Sequence, residues 1–316
     1  MNYSGKRSGF RAQTKHRIGT GRFGFCAAIL PFLLGMGGCF VKHTVHVPVP
    51  AKVLAAKTAT LQELLEALSN QSDKIQSLSS STLKVSFTSG KTESGKLQAY
   101  HSAPGYILLK RPDSIRLNVQ NPITKTSLLE LLSVGDPFSL WWPRDNKFFT
   151  GRNSTREFDL AGHPDFTARA SHIFEAIIPQ KISIDVPHHY VSMEEDQDTV
   201  TKYYVLSEYM KLGPGILRPA RKLWIDRSDL AVSRQQIYDE SGRMVSSIRY
   251  ARMHQVGELL LPLSIRIERP LDGYSLDLEF GDWRLNPDLP ANAFVLKPPP
   301  GAQIVELKEG GRDRKP

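Results

Sequence analysis

The feature that most constrains this chain is a two-residue hydrophobic period that returns many times. In "TLKVSFT", Leu83, Val85 and Phe87 share one face, with Thr82, Lys84 and Ser86 opposite. In "SIRLNVQ", Ile115, Leu117 and Val119 alternate with Arg116 and Asn118. "LSIRIER" and "YSLDLEF" repeat the pattern through Leu263, Ile265 and Ile267, then through Tyr274, Leu276, Leu278 and Phe280. Successive strand side chains point to opposite faces, so this alternation predicts antiparallel strands with one dry and one wet face. Turn signals separate them: Pro112-Asp113, Asp145-Asn146, Glu240-Ser241-Gly242-Arg243 and Asp272-Gly273. Roughly ten to thirteen such strands with short connections predict a mainly β chain with helices, built on a curved antiparallel meander that forms an incomplete barrel.

Two segments break the period. Leu61, Leu64, Leu65 and Leu68 recur at helical spacing, and Thr60 and Glu63 stand at capping-box spacing, which predicts a helix from Thr60 to about Ile75. In "PDFTARASHIFEAIIP", Phe166, Ala170, Ile173, Phe174, Ile177 and Ile178 fall on one side, with Asp165 placed to cap the start and Pro179 to stop the end. A curved sheet that does not close needs a cover for its concave face, and these helices are the available covers. A tight fit gives a plain core, and a loose one gives a cavity for a long apolar ligand. The residues expected to face that space are Leu83, Val85, Ile115, Leu117, Leu276 and Leu278 on strands, with Phe174 and Ile178 of the second helix opposite.

The N-terminal part carries a different signal. Residues 1–22 hold six basic and no acidic side chains, Phe23 to Leu34 is apolar, and small residues then lead to a cysteine in "LLGMGGCF". Basic stretch, short apolar core and small residues are the layout of a secretory signal, the apolar run being too short to span a bilayer. Ending at Cys39, it resembles the lipobox of bacterial lipoproteins, with Met36 where leucine is usual. The resemblance implies diacylglyceryl modification of Cys39 and cleavage before it. The expected organisation is a signal peptide at 1–38, a lipidated tether at 39–59, a lipid-binding domain at 60–305 and a charged tail at 306–316. Of 41 Lys+Arg against 32 Asp+Glu, six basic residues precede Cys39, leaving 35 against 32. The basic balance is therefore mostly targeting signal and gives no support to nucleic-acid binding. Cys26 leaves with the signal, so the remainder has one cysteine and can form neither an internal disulfide nor a cysteine metal site.

Catalytic and metal signatures are missing. His188-His189 with Glu194-Glu195 could suggest metal ligands, but adjacent strand residues point to opposite faces. There is no Gly-x-Ser-x-Gly elbow, no His-Glu-x-x-His and no phosphate-binding glycine loop; "LGPGILRP" at 212–219 reads as a loop. Trp141-Trp142 reads as strand packing. No cofactor, no metal and no enzymatic activity is expected.

Residues 105–151 resemble the LolA/LolB-like lipoprotein-localisation family, LolB-like receptors above all. The likeness rests on Asn121-Pro122-Ile123 between two strands, on Gly135 in a turn and on Phe149-Thr150 closing a strand. Residues 259–296 resemble it too, through Leu261-Pro262, Asn286-Pro287 and Phe294. The chain departs from the family at Thr124, where glycine often stands, and in its greater length, which places insertions between about 155 and 225. The resemblance implies an incomplete barrel with a helical lid and an apolar cavity for acyl chains. It also implies a protruding aliphatic residue, here Ile123, that helps deliver cargo lipid into a membrane. The expected partners are lipid or lipoprotein acyl chains, the membrane through lipidated Cys39, and a periplasmic carrier protein. Phe40 after the cysteine points to the outer membrane by the enterobacterial sorting rule. The competing expectation is an envelope sensor or assembly scaffold with the same fold and a filled interior.

Overall fold

A computed structural model describes residues 55–90, 98–155, 168–182, 184, 186–290 and 292–307. Cys39, the signal and most of the tether lie outside the described residues, as do Asp165, Phe166 and residues 308–316.

The alternating segments form strands of one sheet. In chain order they are β1 (Ser77–Ser89), β2 (Gln98–Lys110), β3 (Ser114–Gln120), β4 (Ser127–Val134), β5 (Pro137–Trp142), β6 (Lys147–Arg152), β7 (His189–Gln197), β8 (Lys202–Gly213), β9 (Ile216–Asp226), β10 (Val232–Tyr238), β11 (Met244–Val256), β12 (Leu259–Arg269), β13 (Tyr274–Phe280), β14 (Arg284–Leu285) and β15 (Gln303–Glu306). Two helices accompany them, α1 (Leu61–Lys74) before β1 and α2 (Ala170–Ile177) between β6 and β7.

The sheet order is β15-β6-β5-β4-β3-β2-β1-β13-β12-β11-β10-β9-β8-β7, with β14 beside β1. The outer strands β15 and β7 do not pair, so the barrel stays open. All pairings are antiparallel except β15 with β6. Curvature follows from the contacts of α2, which touches β3 and β4 on one side and β12 on the other. Five strand spacings separate β4 from β12, about 24 Å along a flat sheet. A helix only about 10–12 Å across reaches both because the sheet wraps around it. Register shifts in β1 between Ser80 and Leu83 and between Val85 and Phe87 supply local bends. Asp282 holds the first, accepting from the Ser80 hydroxyl at 3.0 Å and the Thr82 amide at 2.9 Å.

The first helix begins as the sequence predicts. The Thr60 hydroxyl accepts from the Glu63 amide, and the Glu63 carboxylate accepts from the Thr60 amide at 2.7 Å. The second helix is shorter than expected. It starts at Ala170 with Arg169 as N-cap and no side-chain capping bond. Its end is as expected, with Pro179 directly after the C-cap Ile178. Arg111, in the β2–β3 turn, ties both helices at their C-terminal ends. It donates to the Ile75 carbonyl at 2.7 Å, the Ser72 hydroxyl at 2.7 Å and the Pro179 carbonyl at 2.9 Å. One guanidinium thus satisfies carbonyls that a helix end leaves unpaired. Burial lowers the Arg111 pKa, with Asp73 opposing that shift.

Buried apolar residues fall into two clusters. The larger one surrounds α2 with side chains of β1–β6 and β11–β13. The smaller one lies under α1, where Leu64, Leu65 and Leu68 meet Tyr204 and Leu206 of β8 and Leu223 and Ile225 of β9. The expected wet face of β3 is partly covered: Arg116 pairs with Glu130 at 2.6 Å and donates to the Ala293 carbonyl at 2.9 Å, and Asn118 is buried. Gly105 of β2 is required there, since a Cβ on it would sit 2.2 Å from the Asn118 carbonyl oxygen.

Candidate functional site

The eight residues expected to line a cavity are brought together. Leu83, Val85, Ile115, Leu117, Leu276, Leu278, Phe174 and Ile178 are all buried in the larger cluster. They belong to one packed cluster, and none of them borders the apolar groove beside α1. That groove, about 310 Å³, lies between α1 and the inner face of β10–β12. Its size is at the lower end for ligand sites, about 300–1,000 Å³. Leu68 and Leu223 of the smaller cluster form one wall. Ala176, Ile177, Leu259 and Leu261 of the larger cluster form the other. The groove is therefore the seam between the two apolar clusters, floored by Tyr250 and Met253 of β11.

Polar groups converge on one side of it. Gln235 of β10 is buried and stands across from Leu223 and Ile248 on the inward face. Arg221 of β9 also faces inward, paired with buried Glu208 of β8 at 2.9 Å. Its other nitrogens donate to the carbonyls of Gln180 at 3.3 Å and Lys181 at 3.0 Å. The guanidinium is thereby fixed at the lip, where it could meet the polar end of an amphiphile. The Tyr250 hydroxyl donates to the Ala176 carbonyl at 2.9 Å, and burial pushes its pKa up.

Behind this wall α2 carries two partly buried titratable groups. His172 lies 3.0 Å from the Tyr274 hydroxyl, and its pKa is pushed down to about 2 by burial, then by the charges of Arg269 and Arg169. Burial raises the Glu175 pKa, with Arg269 and Arg221 opposing the shift. The site offers apolar burial and fixed polar contacts, and no nucleophile–base pair is among its residues. Among the described residues no group of three or more His, Cys, Asp or Glu side chains is placed to hold a metal. His189 turns toward Glu208, at 3.4 Å, and His188 has a positive φ of 68°, so the pair does not converge.

Ile123 stands at the tip of the β3–β4 turn with 88% of its surface exposed. The Asn121 side chain accepts from the amides of Ile123 at 2.8 Å and Thr124 at 3.0 Å, which stiffens the tip. The side chain projects rather than folding back onto the rim.

The groove residues Arg221, Gln235, Tyr250 and Met253 were not among the expected site residues. For Arg221 and Gln235 the one sequence sign is that, like Glu208, they are polar where strand alternation calls for apolar side chains, a break that a strand end would also produce.

The fold is one open, curved antiparallel sheet with two helices on its concave face. No protein-family model and no curated protein sequence matches the chain. Among solved structures it is similar to a DUF1329 family protein from Desulfovibrio piger, with 14% identity over 75% of this chain and 98% of that one, TM-score 0.47. It is similar to a LolA superfamily protein from Nitrosomonas europaea, with 17% identity over 76% and 99%, TM-score 0.43. A third is an outer-membrane lipoprotein-sorting protein domain from Vibrio parahaemolyticus, with 12% identity over 73% and 95%, TM-score 0.46.

Proposed function

We propose that this chain is a lipid-handling lipoprotein, anchored through Cys39 in the outer membrane and facing the periplasm. It takes an acyl chain or a lipoprotein's lipid into the groove between α1 and β10–β12 and passes it to the membrane in the manner of a LolB-like receptor, with a periplasmic carrier as donor. The observation that carries this reading is the groove itself. It is walled by Leu68 and Leu223 on one side and Ile177, Leu259 and Leu261 on the other, with Arg221 held at its lip. Each buried methylene contributes about 0.8 kcal/mol, so binding needs no covalent chemistry. Ile123 serves delivery: burying such a side chain in lipid is worth roughly 1.5–3 kcal/mol, enough to bias transfer and too little to anchor.

The sensor or scaffold reading is favoured by one observation, the close packing of the eight expected cavity residues in the larger cluster. A fluorescent fatty acid separates the two. Met253→Trp places bulk on the groove floor and is expected to lower probe affinity at least tenfold with stability unchanged. Leu117→Trp overpacks the larger cluster and is expected to cost about 1–3 kcal/mol in urea unfolding with no selective loss of probe. A wild-type chain that binds no probe, or a Met253→Trp chain that binds it normally, sinks the groove assignment.

A further inference from the structure

The strand ladder sorts the connecting turns onto two rims. The β3–β4, β5–β6, β8–β9, β10–β11 and β12–β13 turns share the rim that carries Ile123. The opposite rim carries the β2–β3, β4–β5, β7–β8, β9–β10 and β11–β12 turns. Acidic residues stand on both rims, Asp145, Asp239, Glu240 and Asp272 among them on the Ile123 side, but the β3–β4 and β8–β9 turns hold none.

The β8–β9 hairpin is the second apolar projection on the Ile123 rim. Leu212, Ile216 and Leu217 are 62%, 59% and 52% exposed and belong to neither apolar cluster. Between them Gly213-Pro214-Gly215 makes the turn; Gly215 has a φ of 71°, and a Cβ there would meet nothing within 4 Å. Val186 and Tyr190, also exposed, sit beside it, because the Lys211 amide bonds to the His188 carbonyl. Lys211 is exposed and has no carboxylate partner among the described residues; the same holds for Lys125 and Arg144 in the other turns of this rim.

We propose that the tip formed by Leu212, Ile216 and Leu217 is a membrane contact that inserts into an anionic bilayer alongside Ile123. Apolar side chains enter the acyl boundary while Lys211, Lys125 and Arg144 meet lipid phosphates. The two turns that carry the exposed apolar tips, β3–β4 and β8–β9, have no acidic residue to oppose that contact. Chain length permits it. The Lys57 amide bonds to the Arg227 carbonyl on the opposite rim, so the chain enters far from the tip. The stretch from Cys39 to Lys57 can extend to about 60 Å, against about 43 Å for the longest strands. A domain tethered at Cys39 can therefore turn its apolar rim to the membrane that holds it.

This inference takes the envelope setting from the proposed function and is independent of what the groove binds. The test uses residues 39–316 carrying Cys39→Ser, so that neither an acyl anchor nor the basic, apolar signal masks the contact. It is expected to float with vesicles of phosphatidylglycerol and phosphatidylethanolamine, and more weakly with phosphatidylcholine alone or in high salt. Leu212→Asp/Ile216→Asp should lower that partition at least about tenfold, or about 1.4 kcal/mol, while fatty-acid probe binding in solution stays unchanged. Ile216→Trp should show a blue-shifted emission when vesicles are added. Equal flotation of the Asp variant, or no shift from the Trp variant, overturns the proposal. So does a dimer that the Asp variant abolishes in a chain that ignores vesicles, since it would assign the tip to a second copy. Loss of probe binding with flotation intact would instead overturn the groove reading and leave this one standing.

Discussion

The two apolar clusters are built from the same alternation and end in different states. Around α2 the sheet wraps from β6 to β11, and Ile107, Leu109, Ile115 and Leu278 are fully enclosed. Under α1 the sheet has already opened toward its edge at β7. The helix sets its leucine stripe on a cluster centred on β8 and β9, and its flank borders the groove. There the polar margin is made by charge: Arg227 stacks over the Tyr204 ring at 4.6 Å and pairs with Glu195 at 2.6 Å. Enclosure depends on how many strands reach a helix. A helix surrounded by strands makes core; a helix lying on one slope of the sheet leaves a seam.

Truncation should expose this difference most strongly. Leu278→Ala removes a side chain with partners on every side, and a loss of about 2–5 kcal/mol is expected in urea unfolding. Leu68→Ala opens onto space that already exists, so its cost should fall at the bottom of that range or below. Equal losses would show that the groove is closed in solution and that the two clusters do not differ in kind.

Acid should act on the first cluster through α2. His172 titrates near 6.5 when unfolded and near 2 when folded. Between those values the unfolded chain binds a proton that the native one refuses. Stability is therefore lost as pH falls below about 6.5, by up to about 1.4 kcal/mol per pH unit from this group. Glu175 has the opposite sign. Its raised pKa keeps it protonated in the folded chain above the ordinary carboxylate value of 4.5, so stability falls as pH rises through that range. His172→Gln should flatten the dependence of unfolding free energy on pH between about 5 and 6.5 relative to wild type. Leu206→Ala, in the second cluster, should lower stability without changing that slope. An unchanged slope in His172→Gln would mean that the imidazole reaches water.

The larger cluster was readable as strand faces, because Leu83, Ile115 and Leu278 stand in clean two-residue alternation; of the smaller one, only the Leu64, Leu65 and Leu68 stripe was. The helix α1 was readable to its first residue through Thr60 and Glu63. The groove was not, for a physical reason. Periodicity reports which face of an element is dry; it carries nothing about the angle at which a helix lies on a sheet. Arg221 and Gln235 break alternation on β9 and β10, and a polar residue at an inward position has the same appearance in sequence as a strand end. The start of α2 was misplaced because apolar spacing continues through residues ahead of Ala170. The exposure of Ile123 was expected from the family resemblance; the turn residues alone left open whether an aliphatic tip projects or folds back onto the rim. The β8–β9 tip looked like an ordinary Gly/Pro loop, since its exposure follows from the ladder register and not from its composition.

The smallest effect tests whether α1 behaves as a separate cover. Thr60 and Glu63 satisfy each other's amides at the start of that helix, and both lie in exposed positions. Thr60→Ala removes the hydroxyl acceptor and leaves the Glu63 amide without its partner, which costs about 1 kcal/mol at such a cap. The loss should be local, because the first turn of α1 touches only the smaller cluster, whereas its last turn is held by Arg111 and by Asn286, whose side chain donates to the Lys74 carbonyl at 2.8 Å. Amide exchange is the measurement that resolves it. Protection should drop for the first turns of α1 and for Tyr204 and Leu206 of β8, while Ile173 and Phe174 of α2 keep theirs. Uniform loss of protection across both clusters would mean that the two halves open as one unit, and the division between an enclosed core and a grooved one would have no thermodynamic counterpart.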